Sequence, residues 1–455
     1  MGNIGQKIFF SHFENKSKKS ITYFVMKLPK VEFRKTDDIL EVYSQDASRW
    51  YRVKPLGVFF PKNLEEAQKC VEFCYKNGIP ITPRGGGSGL TGGAVPENGG
   101  VIISTEKMKN FSVEEGFFIS EAGAISGEIE KEANKIGYTL PAQPSSLNFS
   151  TIGGNVATDA AGLRSVKYGS ARDYILELEV ILPDGKIKTF GPEESQFFAG
   201  SEGTLGIISK VKMRLVKLKK RKTFVFLSEN LKQAIQFSLE LLKFLPSALE
   251  FVDKNGGKIV DVGNGDFYII ISEFEEDFDG KIDLIQNELA KIALEFGMKI
   301  EEIKDIWERR KKLGPALSKI RQFKINEDIV LPISKITDFV EFARKKIVEE
   351  EKINCVIFGH IGVGILHTNL LFGGGEEKDA EKAKREIFEF VISQGGAITG
   401  EHGTGISKKD FIQNELGEET LKFMIHLKNK IDPKNIFNPT KLPLPKRGCI
   451  DTTVK

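Results

Sequence analysis

At 455 residues the chain is too long for one ordinary hydrophobic core, so two or three domains are expected. Its 40% hydrophobic and 28% charged residues are those of a soluble globular protein, and no apolar run approaches the length of a membrane span. The 66 basic and 63 acidic residues nearly cancel, at a formal +3, which removes the electrostatic case for nucleic-acid binding.

Residues 1–25 have no apolar core of secretory type and fail the myristoylation pattern at Gln6, so they read as a flexible N-terminal extension, with Met26 as an alternative start. From 26 to 219, short apolar runs at 101–104, 117–121, 176–182 and 207–216 alternate with glycine-rich turns. Pro183-Asp184-Gly185 predicts a hairpin between 176–182 and 186–190, and helical periodicity marks 64–76 and 125–136. Cys70 and Cys74 share one face of the first of these helices and read as small core residues. With Cys355 and Cys449 they form no CxxC cluster, so no iron–sulfur centre is expected and a reducing cytoplasm is the expected compartment.

A basic run at 217–222 reads as a solvated strand end at a domain boundary. Beyond it the texture changes. Charged helices at 231–245, 281–296, 336–350 and 378–393 alternate with strands such as 267–272 and 355–358, the pattern of helices on one face of a sheet. The span 432–439, with two prolines and two asparagines, reads as a turn cluster.

The segment Gly87-Ser88-Gly89-Leu90-Thr91-Gly92 matches GxGxxG, with Glu106 near the spacing of a ribose-binding acid. A nicotinamide site nevertheless needs that loop to enter a helix directly. Here it continues through Gly93-Ala94-Val95-Pro96 into the strand at 101–104. Six glycines among the nine residues 85–93 are costly in backbone entropy, a cost tolerated where successive N–H groups must turn toward one anion. Two further clusters of small and hydroxylic residues, at 144–169 and 199–208, allow close backbone approach to a large flat ligand.

These three clusters together resemble the FAD domain of the vanillyl-alcohol oxidase (PCMH-type) flavoproteins, and from about 35 to 441 the chain resembles their glycolate oxidase, D-lactate dehydrogenase and D-2-hydroxyglutarate dehydrogenase branch. The resemblance implies an α+β fold: a two-subdomain PCMH-type FAD-binding domain at 26–219 and an α+β substrate (cap) domain with an antiparallel sheet at 220–415. A C-terminal segment, 416–455, would then return toward the flavin. It further implies FAD contacts from Arg84, Gly85, Gly86, Gly87, Ser88, Gly89, Leu90 and Thr91, and from Pro144, Ser150, Thr151, Gly153, Gly154, Asn155, Thr158 and Ala161. Lys167, Tyr168, Gly169, Glu202, Gly203, Ile207, Ile208 and Asn438 complete the implied set. No His or Cys interrupts the loop where relatives with covalent flavin carry one, which implies non-covalent attachment.

Of five histidines, three lie in glycine-flanked motifs, His360 and His367 in one and His402 beside Glu401 in the other. Two imidazoles and a carboxylate suit a divalent ion such as zinc, manganese or iron. The resemblance implies His360, His367 and Glu401 as metal ligands, zinc above all, and His402 as the base that takes a hydroxyl proton while hydride leaves for the flavin. It also implies Arg310 as a carboxylate clamp and Asn369 as a substrate contact, for a D-2-hydroxy acid such as D-lactate, glycolate or D-2-hydroxyglutarate. Where relatives usually read His-x-Gly-Asp-Gly-Asn-Leu-His, this chain has Val363 and Ile365, two apolar groups expected near the flavin edge. The electron acceptor stays open among oxygen, a quinone, a cytochrome, an electron-transfer flavoprotein and an iron–sulfur subunit. So do a homodimer and peripheral membrane association. Two other readings stay open: a transferase like alkyl-dihydroxyacetone-phosphate synthase, and a flavin-binding subunit of a larger glycolate-oxidase-type complex.

Overall fold

The computed structural model describes residues 7–11, 23–48, 51–262, 265–277 and 280–441. Lys7–Ser11 and Tyr23–Lys27 pair antiparallel, so the stretch read as a flexible extension holds a two-stranded element; 1–6 and 12–22 lie outside the described residues. Among the described residues no helix is long and apolar enough to cross a membrane.

Among the described residues the first domain has a two-stranded pairing of Tyr138–Thr139 with Val216–Lys217 and two larger sheets. In one, Gly57–Phe59, Val101–Ser104 and Ile81–Arg84 run parallel, with Phe33–Arg34 antiparallel at the edge. Helix Leu64–Asn77 makes the crossover that parallel strands require. It begins at Asn63, whose side chain accepts from Glu66 N–H, and stops at Gly78 in the left-handed region, φ +64°. Its Ala67, Cys70, Val71 and Cys74 are buried against Phe59, Ile81 and Ile103, so the cysteines are core residues as read. The glycine loop joins Ile81–Arg84 to Val101–Ser104 with no intervening helix, and Glu106 is taken by hydrogen bonds from Tyr43 and Ser104.

The second sheet is antiparallel, in the order Ile187–Phe190, Ile175–Ile181, Ile207–Arg214, Phe117–Glu121, Phe111–Glu114. The expected hairpin is there: Ile181 faces Ile187, and Asp184 Oδ1 accepts Lys186 N–H across the turn. Alternate residues Leu178, Val180, Val211 and Met213 build its core with Phe118 and helix Ser126–Lys135.

The cap is one seven-stranded antiparallel sheet, in the order Lys299–Glu301, Arg221–Ser228, Tyr268–Glu275, Ala248–Val252, Asn354–Gly359, Ile365–Phe372, Phe323–Val330. Helices were expected on one face only, and both faces are covered. Leu231–Leu242, Lys281–Glu295, Ile336–Phe342 and Glu377–Ser393 pack around Phe226, Phe274 and Leu366. Opposite them, Ile306–Leu317 places Leu313 and Leu317 on Val225, Ile271 and Leu371. The reason lies in the strands: Tyr268–Glu275 is buried at all eight positions, so each face demands a layer.

The basic run is only partly solvated. Lys219 pairs with Asp277, and Arg221 Nε lies 2.8 Å from Glu275 Oε1. From the first domain, Arg164 reaches Glu273 at 2.8 Å and Lys167 reaches Glu275 at 3.0 Å, so one acidic strand end pins the two domains together. Helix Glu418–Ile431, unassigned from the sequence, leads into the expected turns at 432–439, and Phe437 bridges to Ile81 of the parallel sheet. Lys428 secures that return through Asp432 and the carbonyls of Thr204 and Phe437.

Phe226 is fully buried and meets Phe237 edge-on with ring centres 4.7 Å apart. Phe226→Ala is expected to lower stability by about 3–5 kcal/mol, seen as a lower urea midpoint. An unchanged midpoint would contradict this packing.

Candidate active site

A cleft of about 1310 Å³, measured to its open mouth, lies between the two domains. Every residue from Arg84 to Thr91 lines it, joined by Pro144, Thr151, Gly153, Gly154, Asn155, Thr158, Glu202, Gly203, Ile207 and Ile208. A Cβ on Gly85 would stand 2.2 Å from Thr151 Oγ1, and one on Gly86 2.4 Å from the Phe149 carbonyl. These glycines therefore let the loop touch the second cluster, a packing reason the sequence reading did not supply. At Gly89 a Cβ would meet nothing nearer than Asp46 at 3.7 Å, so that position opens onto the cleft. A glycine-walled cleft lined by the 84–91 loop, the 144–158 segment and residues 202–208 suits a dinucleotide.

Six expected contacts lie outside the lining. Ser150 and Ala161 are buried behind it. Lys167 and Tyr168 turn to Glu275 of the cap instead, and Gly169 ends their short helix. Asn438 donates to the Glu202 carbonyl at 2.8 Å, supporting the wall rather than forming it. Pro83, Thr105 and Ala122 line the cleft and were missed, because nothing distinguishes them locally from ordinary strand ends.

The cap contributes Glu401 and His402 to the same cleft. Strand alternation explains the cluster behind them. Glu250, His367, Asn369 and Asp328 project from one face of adjacent strands, with His360 just beyond the end of Asn354–Gly359. Glu401 Oε1 lies 3.4 Å from His360 Nε2 and 3.4 Å from His367 Nε2. Two ligands on tetrahedral arms of about 2.0–2.1 Å stand roughly 3.4 Å apart, so each imidazole–carboxylate spacing suits an ion such as zinc, and all three donor atoms lie within 4.8 Å of one another. His360 Nε2 is buried and faces the Glu401 carboxylate, as a ligand nitrogen of such a site would.

Two buried carboxylates hold this set, and neither was anticipated. Glu250 hydrogen-bonds His360 Nδ1, fixing the ring so that Nε2 faces the cluster. Burial opposes the charged form of His360, but Glu250 and Glu401 outweigh it and push its pKa up to about 10. Burial holds His367 well below the usual histidine range, the neutral form that ligation requires. Asp328 Oδ2 accepts the N–H groups of Gly400, Glu401 and His402 at 3.1, 2.5 and 2.7 Å, and its Oδ1 lies 3.5 Å from His402 Nδ1. Burial raises the Asp328 carboxyl, yet His402 and Lys408 outweigh that and hold it well below the ordinary carboxylate range. Spacing could not reveal either residue, since each is 70 or more positions from its partner in the chain.

Two implied substrate contacts are placed differently. Asn369 is fully buried, donating to the carbonyls of Val356 and His367 and accepting from Asn326, so its amide is spent on the sheet and does not reach the cleft. Arg310 is 6% exposed, stacked over Phe358 and 2.6 Å from Glu250 Oε2. It is charge-balanced inside the protein, although its buried Nε has no hydrogen-bond partner among the described residues. Val363 and Ile365 do not line the cleft either. They pack with Val330 and Ala397 against Val166 of the first domain, forming an apolar contact between the domains.

Residues 55–191 match the family described as FAD binding domain, and 217–442 match FAD linked oxidases, C-terminal domain. The chain is 32% identical over 433 residues to glycolate oxidase subunit GlcD of Bacillus subtilis, covering 88% of this chain and 92% of that protein. It is 32% identical over 439 residues to D-lactate dehydrogenase of Archaeoglobus fulgidus, covering 89% and 97%. To the mitochondrial D-2-hydroxyglutarate dehydrogenase of Rattus norvegicus it is 29% identical over 420 residues, covering 85% and 78%. Among solved structures, p-cresol methylhydroxylase superposes with TM-score 0.76 at 15% identity over 90% of this chain and 93% of that one. Alkyldihydroxyacetonephosphate synthase gives 0.70 at 18% identity over 86% and 78%. The fold is thus that of the PCMH-type flavoproteins. The chain belongs to the FAD-linked oxidases, in the branch with GlcD, D-lactate dehydrogenase and D-2-hydroxyglutarate dehydrogenase, and is an FAD-dependent oxidoreductase.

Glu250 offers a direct check of the cluster. When metal-stripped protein is titrated with zinc, Glu250→Gln is expected to bind about 10–100-fold more weakly than wild type, with flavin absorbance retained. Equal affinity would remove Glu250 from the site.

Proposed function

We propose that this enzyme oxidises a D-2-hydroxy acid of the lactate, glycolate or 2-hydroxyglutarate class to the 2-oxo acid, with FAD held non-covalently. One observation carries the reading: Glu401 and His402, on the rim of the His360–His367 cluster, line the same cleft as the glycine loop. The names of the relatives, all acting on hydroxy acids, support it.

Bound FAD supplies a hydride acceptor at N5, and a divalent cation on His360, His367 and Glu401 supplies positive charge that acidifies a hydroxyl. The remaining work falls to the chain. His402 has its Nδ1 side toward Asp328, which favours the tautomer with a proton there and leaves Nε2 to take the substrate hydroxyl proton. His360 and His367 are 3% and 6% exposed, so charge interactions around the cluster are strong, while His402 lines the cleft where substrate can reach it.

The purified protein is expected to be yellow and to bleach anaerobically with one of these D-2-hydroxy acids but not its L-enantiomer, glycolate being achiral. Chelation should abolish the bleaching, and a colourless protein, or one inert to every such acid, would contradict the proposal. His402→Ala should slow flavin reduction by about 10²–10⁴-fold with flavin content unchanged.

A further inference from the structure

The loop 400–407 carries both Glu401 and His402, yet it contains no helix or strand. Its backbone donors are taken by two buried carboxylates from opposite halves of the molecule. Asp328, on the cap strand Phe323–Val330, accepts those of Gly400, Glu401 and His402. Past Gly403, the N–H groups of Thr404 and Gly405 donate to Glu202 Oε1 and Oε2 at 2.6 and 2.9 Å. Glu202 belongs to the flavin half and was expected to contact the cofactor.

Glu202 is itself tightly anchored. Its N–H bonds the Ala157 carbonyl at 2.8 Å, its carbonyl accepts from Asn438 at 2.8 Å, and it is held at φ +53°, a conformation costly for a non-glycine residue. Facing it, Gly403 has φ +84°, and a Cβ there would lie 2.7 Å from the Glu202 carboxyl carbon. The carboxylate can therefore approach the loop only because residue 403 is glycine. Thr91 of the glycine loop adds a parallel tie, its carbonyl accepting from Ile406 and Ser407 and its hydroxyl donating to the His402 carbonyl at 3.1 Å.

We propose that Glu202 is a positioning residue for the base: its two carboxylate oxygens fix the separation between His402 and the flavin cleft, while Asp328 fixes the same loop to the metal-type cluster. The inference rests on the oxidation reading for its kinetic consequence. A carboxylate suits the task because two diverging buried donors need two charge-assisted acceptors. An amide offers one oxygen and sets an NH₂ against the other donor.

The test uses the full-length, FAD-loaded protein with Glu202→Gln and Glu202→Ala, the near-isosteric amide guarding against a variant that misfolds. Flavin reduction by a D-2-hydroxy acid is expected to slow by about 10²-fold in Glu202→Ala and by less in Glu202→Gln, since a shift of about 1 Å in a reacting group has that effect. KM should stay within about twofold and the loss should persist in the rate per bound flavin, since Glu202 also lines the cleft and a loss made only in the transition state appears in kcat. Independently of activity, amide exchange at Thr404 and Gly405 should rise by about tenfold or more while the cap strands keep their protection. Flavin lost in proportion to rate, unaltered exchange at Thr404 and Gly405, or faster exchange with an unchanged kcat would each overturn the proposal. If wild-type protein is reduced by no D-2-hydroxy acid, the oxidation reading fails, and the exchange measurement alone still decides whether Glu202 holds the loop.

Discussion

Buried charge is the constraint from which the rest of this active site follows. Glu250 and Asp328 are withdrawn from water on one side of the cap sheet and Glu401 is largely so at the cleft, and an unpaired buried carboxylate is prohibitively costly. Each is met by a specific compensation: Arg310 and His360 for Glu250, Lys408 and three N–H groups for Asp328, and the imidazoles for Glu401. Burial alone would raise the Glu401 carboxyl, but His360, His367 and His402 outweigh it and hold it well below the ordinary range. The carboxylate is thus kept ionised as a metal ligand must be. A divalent cation in this position would replace diffuse compensation by imidazoles with one concentrated charge.

The same constraint explains the architecture around the cluster. Adjacent antiparallel strands bring Glu250, His367 and Asp328 to one face, and the helix carrying Trp307 and Arg310 closes over it. Among the described residues the flavin half supplies no ligand to the cluster, but it holds the cluster's loop through Thr91 and Glu202. Alignment of the domains is reinforced by ion pairs from Arg164 and Lys167 to the acidic strand end and by Val166 against Val363 and Ile365. The apolar pair that departs from the family pattern therefore joins the interdomain contact, with the ligand set left intact.

Much of the fold was legible because its signals are local. Helix 64–76 was legible from its periodic face, with the Asn63 cap and the Gly78 stop seen only in the structure, and the 176–190 hairpin from Pro183-Asp184-Gly185. The glycine loop excluded a nicotinamide fold through what followed it, an inference made within one short stretch of chain. What stayed hidden depends on long-range pairing. Glu250 and Asp328 look like ordinary charged residues until strand pairing sets them beside His360 and the 400–402 turn. Asn369 shows the reverse: motif position made it a substrate contact, whereas its register opposite Asn326 makes it part of the sheet.

The central claim is that one divalent cation sits among His360, His367 and Glu401 at the mouth of a flavin cleft. Anomalous diffraction at the metal edge from crystals of the FAD-loaded protein tests it most directly. The account predicts a single peak about 2.0–2.2 Å from His360 Nε2, His367 Nε2 and a Glu401 oxygen, with flavin density along the glycine loop. No peak at full flavin occupancy, with the imidazoles hydrogen-bonded directly to Glu401, would contradict it.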